Sequence, residues 1–183
     1  MNLIEHIEGH FGEISEGWKA SDAPDTGIQV VLFANVPFEN ADTFCTIGLS
    51  ESVLQAGPFE ARMELLFSVY NGNYKGEIAE FLLSLAESAQ QLGTLISQGD
   101  VYGPHKPIIS STEMNCVYCT LPVVFSASSL VYKASNPPTF ILWIIPIYLS
   151  EASFIRTQGW QRFELLLEKE DPDLWDFSRS PML

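Results

Sequence analysis

Arg62-Met-Glu-Leu-Leu-Phe-Ser-Val-Tyr70, with the segment that follows it, sets the fold class of this chain. Met63, Leu65, Phe67 and Val69 fall at every second position, so they line one face of a strand. From Ile78 the period changes. Ile78, Phe81, Leu82, Leu85, Ala89 and Leu92 recur every three or four residues, which predicts a helix with one apolar stripe. Glu77, Glu80, Glu87 and Gln91 take other positions, and Gly93 stands where a C-cap glycine belongs.

Similar elements lie on both sides. Upstream, Phe44 to Leu49 and Ile28-Gln-Val-Val-Leu-Phe33 read as strands, the latter following the turn cluster Asp22-Ala-Pro-Asp-Thr-Gly27. Leu3, Ile4, Ile7 and Phe11 predict a first helix over 2–13, ended by Gly12 and Gly17. Downstream of a loop through Gly99–Pro107, Met114 to Phe125 and Thr139 to Leu149 read as strands. A last helix is expected from Ser150, capped by its hydroxyl, with Pro172 as its stop. Helix, strands, helix, strands, helix is the order of an α+β domain, with a mixed sheet packed against helices. No linker or repeat divides residues 1–183, so a single domain is expected.

The chain carries 9 Lys+Arg against 23 Asp+Glu, a net charge of −14, with 46% hydrophobic residues. That balance excludes a disordered chain and argues against nucleic-acid binding, because no stretch gathers the basic residues that phosphates need. Residues 1–60 hold ten acids and one base, Lys19. The most apolar run, Phe140 to Leu149, contains Pro146 and falls short of the roughly 20 residues of a membrane span, so a buried strand is expected. The start of the chain lacks signal-peptide features, and three cysteines make no disulfide framework. A cytoplasmic protein is the expectation.

Motifs for chemistry are sparse. His6 and His10 share a helix face but lack further ligands, and read as solvent-facing. Cys116-Val-Tyr-Cys119 lies in a strand-like run, where positions three apart face opposite sides, so it reads as structural. Glu64 sits among apolar neighbours and needs a partner; Arg62, two residues away on the same face, is the candidate, and a general-base role is the alternative. There is no nucleophile elbow, phosphate loop or dinucleotide fingerprint. No catalytic residue, metal site or cofactor is therefore expected.

Several segments, in order, resemble the suppressor of fused (SUFU) domain family. Thr46-Ile-Gly48-Leu-Ser50 looks like its Thr-x-Gly-x-Ser strand end, and Arg62-Met-Glu64-Leu is similar to its Arg-x-Glu-Leu strand. Gly99-Asp100 follows the long helix, as in that family. Pro146-Ile with Glu151 looks like its Pro-Ile-x-x-x-Glu segment. Gly159 and Asp176-Phe-Ser-Arg179 resemble its closing pattern. The resemblance spans roughly residues 40–180 and leaves 1–40 uncovered. It implies a mixed α/β sandwich that binds other proteins; short bacterial members look like immunity proteins or antitoxins that neutralise a toxin, often a nuclease.

The motif residues themselves read as structural. Gly48 is expected at a special backbone angle, Pro146 at a bulge or edge, and Arg62, Glu64, Glu151 and Arg179 in internal ion pairs. For partner contact, Asp22, Asp25, Glu39 and Asp42 are the candidates, because they lie in base-free, turn-rich sequence expected to be exposed. Trp18, Phe38 and Trp175 are candidate aromatic anchors beside them, with burial in the core as the competing reading for Trp175. The expected function is non-enzymatic protein binding, as immunity protein or antitoxin against a cognate toxin. An intracellular adaptor that binds a peptide is the alternative.

Overall fold

The structure is a computed structural model and describes residues 2–20 and 26–183. Its elements are α1 (Leu3–Phe11), β1 (Glu16–Lys19), β2 (Gln29–Ala34), β3 (Ala41–Ile47), β4 (Leu54–Ala56), β5 (Phe59–Tyr70) and α2 (Lys75–Leu92). They continue with β6 (Val101–Tyr102), β7 (Cys116–Thr120), β8 (Val131–Tyr132), β9 (Thr139–Ile147), α3 (Leu149–Gln158) and α4 (Trp160–Glu170). The sheet runs β1-β2-β3-β5-β9-β7-β6, with β4 added to β5 and β8 to β9. Only β5 and β9 pair in parallel; the other pairings between these strands are antiparallel. This is the mixed sheet of the expected α+β domain.

Both faces of the central strands are covered. Met63, Leu65, Phe67 and Val69 of β5 pack with Ile78, Leu82, Ala86 and Ala89 of α2 in one core. Leu66, with Ile141, Trp143, Ile145 and Ile147 of β9, packs on the other side against Ile7 and Phe11 of α1, Ile155 of α3 and Phe163 of α4. Burial on both faces explains the nearly continuous apolar run in β9. Cys116 lies in the second core and Cys119 in the first, on opposite faces as their spacing requires.

Local signals placed most helix ends. Asn2 caps α1 through a reciprocal box with Glu5, both bonds 2.9 Å. Gly93 ends α2 at φ 63°. The expected final helix is instead two, because Gly159 adopts φ 89° and its N–H caps α3 on Ile155 O. Tyr148, not Ser150, is the N-cap of α3, and its N–H donates to the Glu151 carboxylate at 2.9 Å. The strand expected over 114–125 stops at Thr120, since Pro122 brings no N–H to a ladder.

Two expected exposures are corrected. His6 is buried: α1 sets its ring 5.4 Å from Tyr132, and Nε2 lies 3.4 Å from the Ser129 carbonyl. Asp42 is only 3% exposed, because β3 begins at Ala41, ahead of the expected start, and pairs Asp42 with Ala34 and Val69. Among the described residues no helix is long and apolar enough to cross a membrane.

Candidate partner-binding surface

The motif residues build two internal clamps. In the first, the fully buried Glu64 carboxylate accepts from Thr46 Oγ1 at 2.6 Å and from the N–H groups of Gly48 and Ser50 at 3.0 Å. Arg62 is not its partner. The guanidinium donates to the carbonyls of Ser50 and Glu51, at 2.7 and 2.8 Å, so carboxylate and guanidinium hold opposite ends of one turn. Gly48 makes the turn possible. It adopts φ 107°, and a Cβ there would lie 2.3 Å from the Gly27 carbonyl oxygen.

Burial pushes the Glu64 carboxyl up to about 7, against the downward pull of its hydrogen bonds. Between its unfolded value and about 7 the native state thus holds a proton that the unfolded chain has released. Stability from this group is greatest at low pH and falls as pH rises through that window, by on the order of 3 kcal/mol. Denaturation of wild type and Glu64→Gln across pH 4.5–7.5 checks this. The wild type is expected to lose stability relative to the variant as pH rises, and a constant difference would refute the assignment.

The second clamp is a bidentate pair, Arg179 Nη1 and Nη2 to Glu151 Oε1 and Oε2 at 2.7 and 2.8 Å. It ties the chain after α4 to the first turn of α3. Arg179 Nη2 also reaches the Pro146 carbonyl at 3.4 Å. β5 pairs with β9 only as far as Trp143, so Pro146 pairs with β7 on one side alone, at a local edge where its carbonyl is directed to Arg179. Gly99, at φ 97°, has Trp160 packed where a Cβ would be, and its N–H donates to Cys119 O. Asp100 accepts from Ser97 N, and Asp176 from Ser178 N and Oγ, which holds the Asp176 carboxyl below its ordinary range. Every one of these contacts is internal.

Outward-facing chemistry gathers elsewhere. Phe38, in the β2–β3 connection, is 40% exposed and meets Trp175 edge-to-face at 5.2 Å and Tyr70 in a tilted contact at 6.1 Å. Trp175 anchors the group from below: its Nε1 donates to Ser68 Oγ at 3.0 Å, and its ring meets Trp143 at 5.6 Å. Tyr70 Oη donates to Asp173 at 2.8 Å. Glu39 is exposed beside Phe38. The result is an aromatic platform with Asp173 bonded to Tyr70 and the exposed Glu39 next to Phe38 in the chain.

Of the sequence candidates, Glu39 and Phe38 reach this surface and Trp175 supports it. Asp42 is buried, with Lys75 Nζ at 3.9 Å, and burial raises its carboxyl despite that ammonium. Asp22 and Asp25 lie outside the described residues. Trp18 packs on Phe44 in the α2-side core. Tyr70 was missed; no periodicity links residues 38, 70 and 173, which meet only through the fold. Among the described residues no cluster of three or more His, Cys, Asp or Glu is placed to hold a metal.

Comparison with known proteins agrees with this architecture. A SUFU homologue from Neisseria gonorrhoeae superposes with a TM-score of 0.80 at 14% identity, over 99% of this chain and 94% of that one. A chain of the Sufu–Fu complex gives a TM-score of 0.66 at 9% identity, over 98% of this chain and 86% of that one. No curated protein matches by sequence. The sequence model of the Suppressor of fused protein (SUFU) family matches residues 24–180, from β2 to the Arg179 clamp, and the chain belongs to that family.

Proposed function

We propose that this chain is a non-enzymatic protein-binding module that captures and neutralises a basic partner, as an immunity protein or antitoxin does for its cognate toxin. The observation that carries this reading is the aromatic platform of Phe38, Tyr70 and Trp175 with Glu39 and Asp173 beside it. Interfaces concentrate their energy in such aromatic anchors, and a surrounding charge of one sign steers the encounter. The −14 net charge supports a cationic partner, and a toxin that cuts nucleic acid needs a cationic cleft. The crystallised Sufu–Fu complex supports protein binding as a use of this fold.

The test is stopped-flow association with the product of any toxin-like reading frame found beside the gene. A stoichiometric complex that abolishes the toxin's activity is expected. Its association rate should fall steeply as the Debye length shrinks from about 10 Å at 0.1 M salt to about 3 Å at 1 M. Glu39→Gln with Asp173→Asn should slow association further at low salt. A rate indifferent to salt and to both substitutions would remove the electrostatic basis of the proposal.

A further inference from the structure

A trough of about 720 Å³ runs along a flank of α2 and borders the core at Ala89, Ile96 and Ile108. Phe81, Leu85 and Leu92 of α2 form one wall, and Tyr102 of β6 and Ile108 from the loop beyond it contribute to the other. The lining positions recur every three or four residues from Glu77 to Leu92, so the trough follows the helix for roughly 22 Å. Ser84 and Ser88, both exposed, keep the middle of this flank low. Small side chains at Ser84 and Ser88, set among Phe81, Leu85 and Leu92, suit the close approach of a second helix.

The mouth has a charge preference. Glu77 and Glu80 stand at the start of α2, against Lys106 on the loop. Glu77 is held in place by Ser110 N–H at 2.7 Å, and Glu80 is exposed. Two carboxylates face one ammonium, on a chain of net −14. We infer that this trough docks an amphipathic helix of a partner protein, whose apolar stripe enters between Phe81 and Leu92 and whose Lys or Arg meets Glu80. The inference rests on the protein-binding reading above and adds a second contact to it.

The probe is a synthetic helix with leucines at i, i+3, i+4 and i+7 and two arginines at one end. It is titrated into the 15N-labelled full chain and followed by NMR. Saturable shifts are expected at the amides of Phe81, Leu85, Ser88, Leu92 and Ile108. Ser88→Arg fills the trough from an exposed position and should weaken binding about tenfold or more. A twin peptide with glutamates for arginines should bind at least about threefold more weakly at low salt. Shifts confined to other surfaces, no saturation, or Ser88→Arg binding like wild type would overturn the site. Equal affinity for the two peptides would overturn the cationic requirement. The peptide bypasses the Phe38 platform, so its failure would leave that reading standing. Loss of toxin binding in a Phe38 variant that still takes the peptide would support the platform as a required contact and leave the trough standing as a separate one.

Discussion

Arg179→Met is expected to destabilise the protein by about 3–5 kcal/mol, because it leaves the Glu151 carboxylate buried without its counter-charge. Glu151 is wholly buried and Arg179 nearly so. Two backbone donors remain for the carboxylate, Tyr148 N at 2.9 Å and Met182 N at 3.1 Å, and neither supplies a charge. Denaturant unfolding measures the loss, and the midpoint of melting should drop by roughly 10 °C for a chain of this size. Replacing both partners, Glu151→Leu with Arg179→Met, should recover part of it, since no charge is then stranded. A single-variant cost under about 1 kcal/mol would mean that water reaches the pair and that the clamp is marginal.

The clamp matters beyond stability because of where the tail runs. β5 pairs with β9 as far as Leu66 and Trp143. Past that point the tail bonds to both strands. Tyr70 N donates to Trp175 O, Ser68 Oγ accepts from Trp175 Nε1, and Arg179 reaches Pro146 O in β9. Phe177 completes the seat between Phe67 and Tyr74. Releasing Arg179 therefore loosens Trp175, the support of the aromatic platform. Arg179→Met should impair partner binding as well as stability, although its guanidinium faces inward.

What was legible in the sequence follows from how local each signal is. α2 and β5 are long, and their periods of 3.6 and 2 were unambiguous; β9 was legible from its nearly continuous apolar run. Gly48 was legible as a constrained position, and Glu151 and Arg179 as members of internal ion pairs, though not as each other's partner. The short strands β1, β4, β6 and β8 were not, because stretches such as Glu16-Gly-Trp-Lys19 carry no strand pattern and form only against a neighbour already in place. Asp42 was misplaced by a strand boundary three residues early, and His6 by the docking of α1 on a distant loop. The Glu64–Arg62 pairing failed for a subtler reason. Both residues serve the same turn, but the carboxylate takes its N–H groups and the guanidinium its carbonyls.

The platform was the least legible feature, and it carries the other large expected effect. Phe38→Ala should weaken partner binding by about 2 kcal/mol or more, some thirtyfold, through faster dissociation. The ring is partly exposed, yet Trp175 and Tyr70 hold it in place, so little conformational freedom is lost when a partner covers it. Its removal should cost the fold only about 1 kcal/mol, the worth of the ring contacts it makes. Glu39→Gln, one residue away, should act on the other rate and slow association, because a rim charge steers and does not anchor. Phe59→Ala is the control. Phe59 is 72% exposed at the opposite end of β5 from Tyr70, about 35 Å along an extended strand. If general surface hydrophobicity drove binding, losing Phe59 would cost as much as losing Phe38. An affinity that falls for Phe38→Ala alone locates the contact at the platform. An affinity unchanged within about threefold in Phe38→Ala would remove the platform from the interface.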